Sequence, residues 1–245
     1  MNRRELLKTS VIGVASAVLP MGPAQRSWAA ETVDQPLRER LRVCTPKDVL
    51  IRLQEGNARF VQAWAAASRL DSAQQRMEAL NTIWENECQI DPVALAEGQN
   101  PFAATLSCAD SRVDPSWLFA CGSGELFEVR CAGNTAFDDA IASLEYAVAV
   151  LDTRLILVMG HSGCGAVKAA MGHEPLTPLL EQLVMPIRAS LQSGDTLTQA
   201  VQGNARYAAG QLTLRSKVLQ EAFTGGRLTI RSAFCDIGTG VVSLL

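Results

Sequence analysis

Apolar positions along the 245-residue chain follow two different spacings, one near its start and one through its centre. Val49, Leu53, Phe60, Val61 and Trp64 recur at helical intervals. They follow Thr45-Pro46-Lys47-Asp48, where a capping hydroxyl, a proline in the first turn and an acid at the positive dipole end mark a helix start. A second helical stretch runs to about Glu87 with a less distinct face. After Gln99-Asn100-Pro101, three short apolar segments predict strands: Phe102 to Leu106, Leu126 to Arg130, and Arg154 to Met159. Leu155 to Met159 has no polar interruption, as a strand buried on both faces of a parallel sheet requires. Between the second and third, Ile141, Leu144, Val148 and Leu151 fall on one helical face. Helical patterns follow from Pro178 to about Gln192 and from Thr198 to Phe223. A last strand, Arg227 to Cys235, alternates Leu228, Ile230 and Phe234 with polar neighbours until Ile237-Gly238-Thr239-Gly240 turns the chain into Val241 to Leu245. The order strand, helix, strand predicts an α/β sheet with crossover helices, preceded by a helical arm that packs on the core or on another subunit.

Composition narrows this picture. With 48% apolar and 19% charged residues, the chain can bury one full-sized core, so one catalytic domain is expected. The first thirty residues read as an export signal: Arg3-Arg4 before an apolar run from Val11 to Leu19, then small residues at Ala24, Ala29 and Ala30. The paired arginine resembles a twin-arginine signal, with Ser27-Trp28-Ala29 as the processing site and an extracytoplasmic or periplasmic destination. An amphipathic first helix is the competing reading, though Pro20, Gly22 and Pro23 would end it abruptly. The run is too short for a membrane span, which needs roughly 20 residues. Without Arg3, Arg4, Glu5, Lys8 and Arg26 the formal charge moves from -3 to -6, which disfavours nucleic acid and anionic membrane as partners.

Seven cysteines, an odd number, cannot all pair, and their spacing suits a metal better than a disulfide framework. Cys108-Ala109-Asp110-Ser111-Arg112 stands just after the first strand, and His161-Ser162-Gly163-Cys164-Gly165 just after the third. In parallel sheets, sites collect where strands end and helices begin, so the two segments can converge. Two thiolates and one imidazole suit zinc and leave a fourth position open. Singly, each residue has a bland role as a buried hydrophobe or structural histidine; jointly, beside Asp110 and Arg112, they point to a metal. With only two histidines in the chain, a three-histidine zinc site within one subunit is excluded. Signal and metal site support each other, because twin-arginine export carries proteins already folded. The organisation expected is residues 1–30 as signal, 31–98 as helical arm and 99–245 as zinc-binding α/β catalytic domain.

These segments, together with Glu55 to Phe60, Ala132-Gly133-Asn134, Ser143 to Val148 and Asp236 to Val241, resemble the β-class carbonic anhydrases over roughly Leu53 to Leu245. The resemblance implies a central, mostly parallel sheet, a dimer as the basic unit, Zn2+ as cofactor, and interconversion of carbon dioxide and bicarbonate by hydroxide generated at zinc. It assigns Cys108, His161 and Cys164 as ligands, with Asp110 a candidate fourth, and Asp110 and Arg112 as a dyad whose ion pair holds the carboxylate off the metal. It assigns Gln99, Phe127 and Tyr146 to the substrate pocket, part of whose lining comes from the neighbouring subunit. Cys131, Cys235 and Ala132 depart from the family pattern, which expects an apolar residue, a tyrosine and, in some members, valine.

Two thiolates cancel the formal charge of the ion, so activity is expected to rise toward alkaline pH. His173, after the helix that follows Cys164, is either a proton shuttle or an exposed loop residue. The competing functions are a carbon disulfide or carbonyl sulfide hydrolase on the same scaffold and a zinc-binding module without turnover. A redox protein is disfavoured, because the chain has no C-x-x-C pair.

Overall fold

The computed structural model describes residues 37, 40, 41, 46–84 and 91–245. The expected export signal, Cys44 and Cys88 lie outside the described residues.

Helix α1 (Val49–Ala67) starts about a turn later than the expected capping pattern: Thr45 lies outside the described residues, Pro46 precedes the helix, and Asp48 is itself the N-cap, its carboxylate accepting the Ile51 N–H at 3.0 Å. It buries Leu53, Gly56, Asn57, Phe60, Ala63 and Ala67. Helix α2 (Ala73–Asn81), continued by a 3-10 turn over Thr82–Trp84, buries none of its own side chains, which is why its sequence shows no clear apolar face. Helix α3 (Pro92–Glu97) leads into β1 (Ala103–Ser107). There follow α4 (Pro115–Leu118), β2 (Leu126–Arg130), a 3-10 turn at Ala132–Asn134, α5 (Asp138–Ala149) and β3 (Leu155–His161). The chain continues through α6 (Gly165–Met171), α7 (Pro178–Arg188), α8 (Leu197–Arg215) and α9 (Lys217–Thr224) to β4 (Thr229–Cys235) and β5 (Val242–Leu244).

The sheet runs β2-β1-β3-β4-β5, parallel except for β5, so the fold is α/β with a mostly parallel central sheet flanked by helices. All seven residues of β3 are buried. On one face Ala103, Leu157, Met159 and Ala233 pack against Leu53, Phe60 and Ile83, so α1 is a covering layer of the sheet. On the other, Ala104, Leu106, Ile156 and Val158 pack against α5, α8 and α9 through Leu144, Leu212 and Leu219. The uninterrupted apolar run of β3 is therefore the alternation of two buried faces.

One expected helix divides. The stretch from Thr198 to Phe223 breaks at Ser216, whose backbone is extended (φ -119, ψ 116) and whose hydroxyl caps α9 by accepting the Leu219 N–H at 3.0 Å. The same hydroxyl donates to Glu145 on α5 at 2.6 Å, so a tertiary contact favours the break. Among the described residues no helix is long and apolar enough to cross a membrane.

Candidate metal centre

β1 and β3 are parallel neighbours paired up to Ser107 and Met159, so Cys108 and His161 emerge at the same edge of the sheet. After His161 the chain turns through Gly163, at φ +69, a backbone conformation that favours glycine, and reaches Cys164 at the N-cap of α6. The ligand atoms of Cys108, His161 and Cys164 lie within 4.8 Å of one another, all three residues buried. The two sulfurs are 3.9 Å apart. That is too far for a disulfide, and close to the separation of about 3.8 Å that two zinc–sulfur bonds of about 2.3 Å subtend at a tetrahedral angle.

The imidazole is oriented for the same purpose. His161 Nδ1 lies 3.0 Å from the Ser162 carbonyl, while Nε2 is buried without a hydrogen-bond partner. A proton on Nδ1, donated to that carbonyl, leaves the Nε2 lone pair to a metal. The residues present therefore fit zinc: two sulfurs, one orphaned imidazole nitrogen and an open side.

Electrostatics agree. The Cys108 thiol is pulled down to about 4, chiefly by a hydrogen bond from Cys164, with help from His161 and the Gly133 N–H. Cys164 moves up, because it is the donor in that bond and is buried. Burial works to lower His161, but hydrogen bonding and the charge of Cys108 outweigh it and raise the imidazole.

Asp110 and Arg112 meet as expected. Asp110 Oδ1 accepts Arg112 Nε at 2.9 Å and its backbone N–H at 3.0 Å, and Oδ2 accepts Nη2 at 2.7 Å. This bidentate pair holds the carboxyl well below the ordinary carboxylate range. Oδ2 stands 3.9 Å from His161 Nε2, beside the ligand cluster.

Phe127 on β2 and Tyr146 on α5 come together separately, with ring centroids 6.2 Å apart. Both are partly open to solvent, and Gln99 is exposed in the segment between α3 and β1. His173 is exposed in the loop before α7. Cys131 and Cys235 are free, as are Cys108, Cys121 and Cys164.

The sequence reading missed the residues that brace the centre. Arg130, at the end of β2, donates to the carbonyls of Cys108 (3.3 Å), Asp110 (2.8 Å) and Val113 (2.8 Å), and so clamps the loop that carries both ligand and dyad. The Gly133 N–H points at Cys108 Sγ from 3.3 Å, and Asn204 on α8 donates to the Gly133 carbonyl at 2.8 Å. Gly133 sits at φ +72, and a Cβ there would meet Ile187 Cδ1 at 2.6 Å. Its place in the Ala132-Gly133-Asn134 motif was the one available signal.

The family model for carbonic anhydrase matches residues 103–242, from β1 to the start of β5. Carbonic anhydrase 2 of Mycobacterium tuberculosis is 33% identical over 187 residues, covering 73% of this chain and 82% of the relative. The carbonic anhydrase of Mycolicibacterium smegmatis is 30% identical over 199 residues, covering 77% and 94%. Among solved structures, the Coccomyxa β-carbonic anhydrase in complex with acetazolamide is similar with a TM-score of 0.54 and 28% identity, covering 72% of this chain and 87% of that one. The β-carbonic anhydrase CafA of Aspergillus fumigatus gives 0.56 and 26%, covering 74% and 85%. Since the family match spans β1 to the start of β5 and both ligand-bearing segments, the chain belongs to the β-class carbonic anhydrase family.

Proposed function

We propose that this chain hydrates carbon dioxide reversibly to bicarbonate and a proton, with zinc held by Cys108, His161 and Cys164. The observation that carries the reading is the Asp110–Arg112 pair, which places an ionised carboxylate 3.9 Å from the orphaned Nε2 of His161 and fixes it there by two side-chain hydrogen bonds. Zinc, when bound, supplies the Lewis acidity that makes water acidic enough to act as a nucleophile near neutral pH. In this reading Asp110 would accept a hydrogen bond from the attacking water and so direct its lone pair, while Arg112, through its two side-chain hydrogen bonds, keeps Asp110 ionised and fixed in orientation. Phe127 and Tyr146 would offer an apolar wall for carbon dioxide, and Gln99 a donor for product oxygens, with part of this lining supplied across a subunit interface. The names of the curated relatives favour carbon dioxide over carbon disulfide or carbonyl sulfide.

The test is stopped-flow hydration by purified protein of measured zinc content, with carbonyl sulfide and carbon disulfide as parallel substrates. Hydration that scales with zinc content supports the reading. Turnover of the sulfur compounds alone would reassign the site.

The functional unit in this reading is a homodimer or a dimer-based assembly. Phe127 lies on β2, one of the two outer strands of the sheet, and Tyr146 is 47% exposed, so a single chain leaves this wall partly open. Sedimentation of the active protein as a monomer would contradict it. The reading also includes export, supported by Arg3-Arg4 and the following apolar run. Replacing both arginines by lysine is expected to retain the full-length protein in the cytoplasm, and unchanged secretion would remove the twin-arginine claim.

A further inference from the structure

A cleft of about 550 Å³ opens beside the metal centre. It falls within the roughly 300–1,000 Å³ that small organic ligands fill, and far exceeds what a triatomic gas occupies. Its walls are aromatic. Phe60 and Trp64, one turn apart on α1, stack with ring centroids 5.5 Å apart. Trp117 of α4 lines the same cleft and is braced edge-on by Trp84 at 5.8 Å. Trp64 and Trp117 remain 38% and 39% exposed, so much of each indole meets solvent.

The polar rim carries a cation. The Arg112 side chain is 57% exposed and commits Nε and Nη2 to Asp110, while Nη1 makes no hydrogen bond among the described residues. Asp114, the acid on this lining, is already engaged: it accepts the Trp117 N–H at 3.1 Å and pairs with Arg130 at 3.6 Å. A cationic ligand would meet Arg112 unfavourably, and a neutral apolar one would leave its remaining donors unused. A flat body with one anionic group satisfies both walls and rim.

We propose that this cleft binds a small aromatic carboxylate, its ring against Trp64 and Trp117 and its carboxylate on the free side of the Arg112 guanidinium. Zinc-loaded, full-length protein is titrated with benzoate and separately with neutral benzamide, by calorimetry and tryptophan fluorescence. Benzoate is expected to bind saturably, to change the fluorescence, and to bind at least about tenfold tighter than benzamide. Trp117→Ala weakens benzoate by about tenfold or more. Trp64→Leu, which keeps apolar bulk, gives the same direction if Trp117→Ala does not fold. Arg112→Gln brings benzoate down to the benzamide level. Absence of saturable binding, equal affinity for the two probes, or benzoate binding unchanged in a folded tryptophan variant overturns the assignment.

Discussion

Arg112 is the residue on which the proposed chemistry turns. Its guanidinium is more than half exposed, so solvent screens the pair and leaves it little weight in stability. Its consequence lies in where it holds Asp110, whose Oδ2 is 3.9 Å from His161 Nε2. Arg112→Ala releases a carboxylate near enough to take the position that the open site keeps for water. Zinc content is expected to stay full, because the three ligands are untouched. Carbon dioxide hydration is expected to fall at least about a hundredfold, on the order of 3 kcal/mol, with little change in melting temperature. Near-normal turnover at full zinc occupancy would sink the gating role.

Two thiols outside the ligand set carry a pH prediction. Burial pushes Cys121 and Cys235 up to about 12. An unfolded thiol titrates near 8.5, so below that pH both states hold the proton and their difference is fully present as stability. As pH rises toward 12, the unfolded chain releases protons that the folded chain keeps, and stability declines by up to about 1.4 kcal/mol per pH unit for each thiol. Urea midpoints at about pH 8 and about pH 10 are expected to differ less in the Cys121→Ala, Cys235→Ala double variant than in the parent. An unchanged difference would place the alkaline sensitivity elsewhere.

At the scale of elements, the position of α1 depends on a missing side chain. A Cβ on Gly56 would stand 1.8 Å from the Phe119 carbonyl oxygen, so α1 touches the end of α4 backbone to backbone. The contact is stitched on both sides of that glycine. Arg52 donates to the carbonyls of Phe119 (3.2 Å) and Ala120 (2.9 Å). Asn57 donates to Leu118 and Gly240, each at 2.9 Å, and accepts the Val242 N–H. Alanine is the better helix former by about 1 kcal/mol, so propensity alone predicts that Gly56→Ala stabilises. The steric contact outweighs it, and Gly56→Ala is expected to destabilise by roughly 2–4 kcal/mol in urea unfolding. Stability equal to or above the parent would show that α1 docks differently.

For the whole molecule, sheet and metal are coupled. The proposed ligands come from the ends of two paired strands and the start of α6, an assembly that an unfolded chain does not hold together, so metal binding there is expected to add to folding stability. Protons compete with zinc for the thiolates, hence zinc retention is expected to fall as pH falls. Dialysis against chelator at about pH 5 is expected to strip the metal faster than at about pH 8, and the stripped protein to melt several degrees lower. Equal retention at both values would argue against thiolate ligation.

The chemistry of the centre was legible in the chain itself, because it sits in two short segments whose residue types and spacing are those of a zinc site, and because Asp110 and Arg112 are two positions apart. The strands were legible too: β2 runs over the expected Leu126–Arg130, and β3 has no polar residue from Leu155 to Met159 because both its faces are covered there. Local signals of this kind survive in a linear pattern. What only the tertiary structure decided involves partners far apart in sequence. Arg130 clamping the Cys108 loop, Asn204 fixing Gly133, and Ser216 breaking a long helix to reach Glu145 are contacts across 20 or more residues. The cleft joining Trp64, Arg112 and Trp117 is of the same kind. Such contacts leave no periodicity, since each depends on how strands and helices pack before any two of its residues meet.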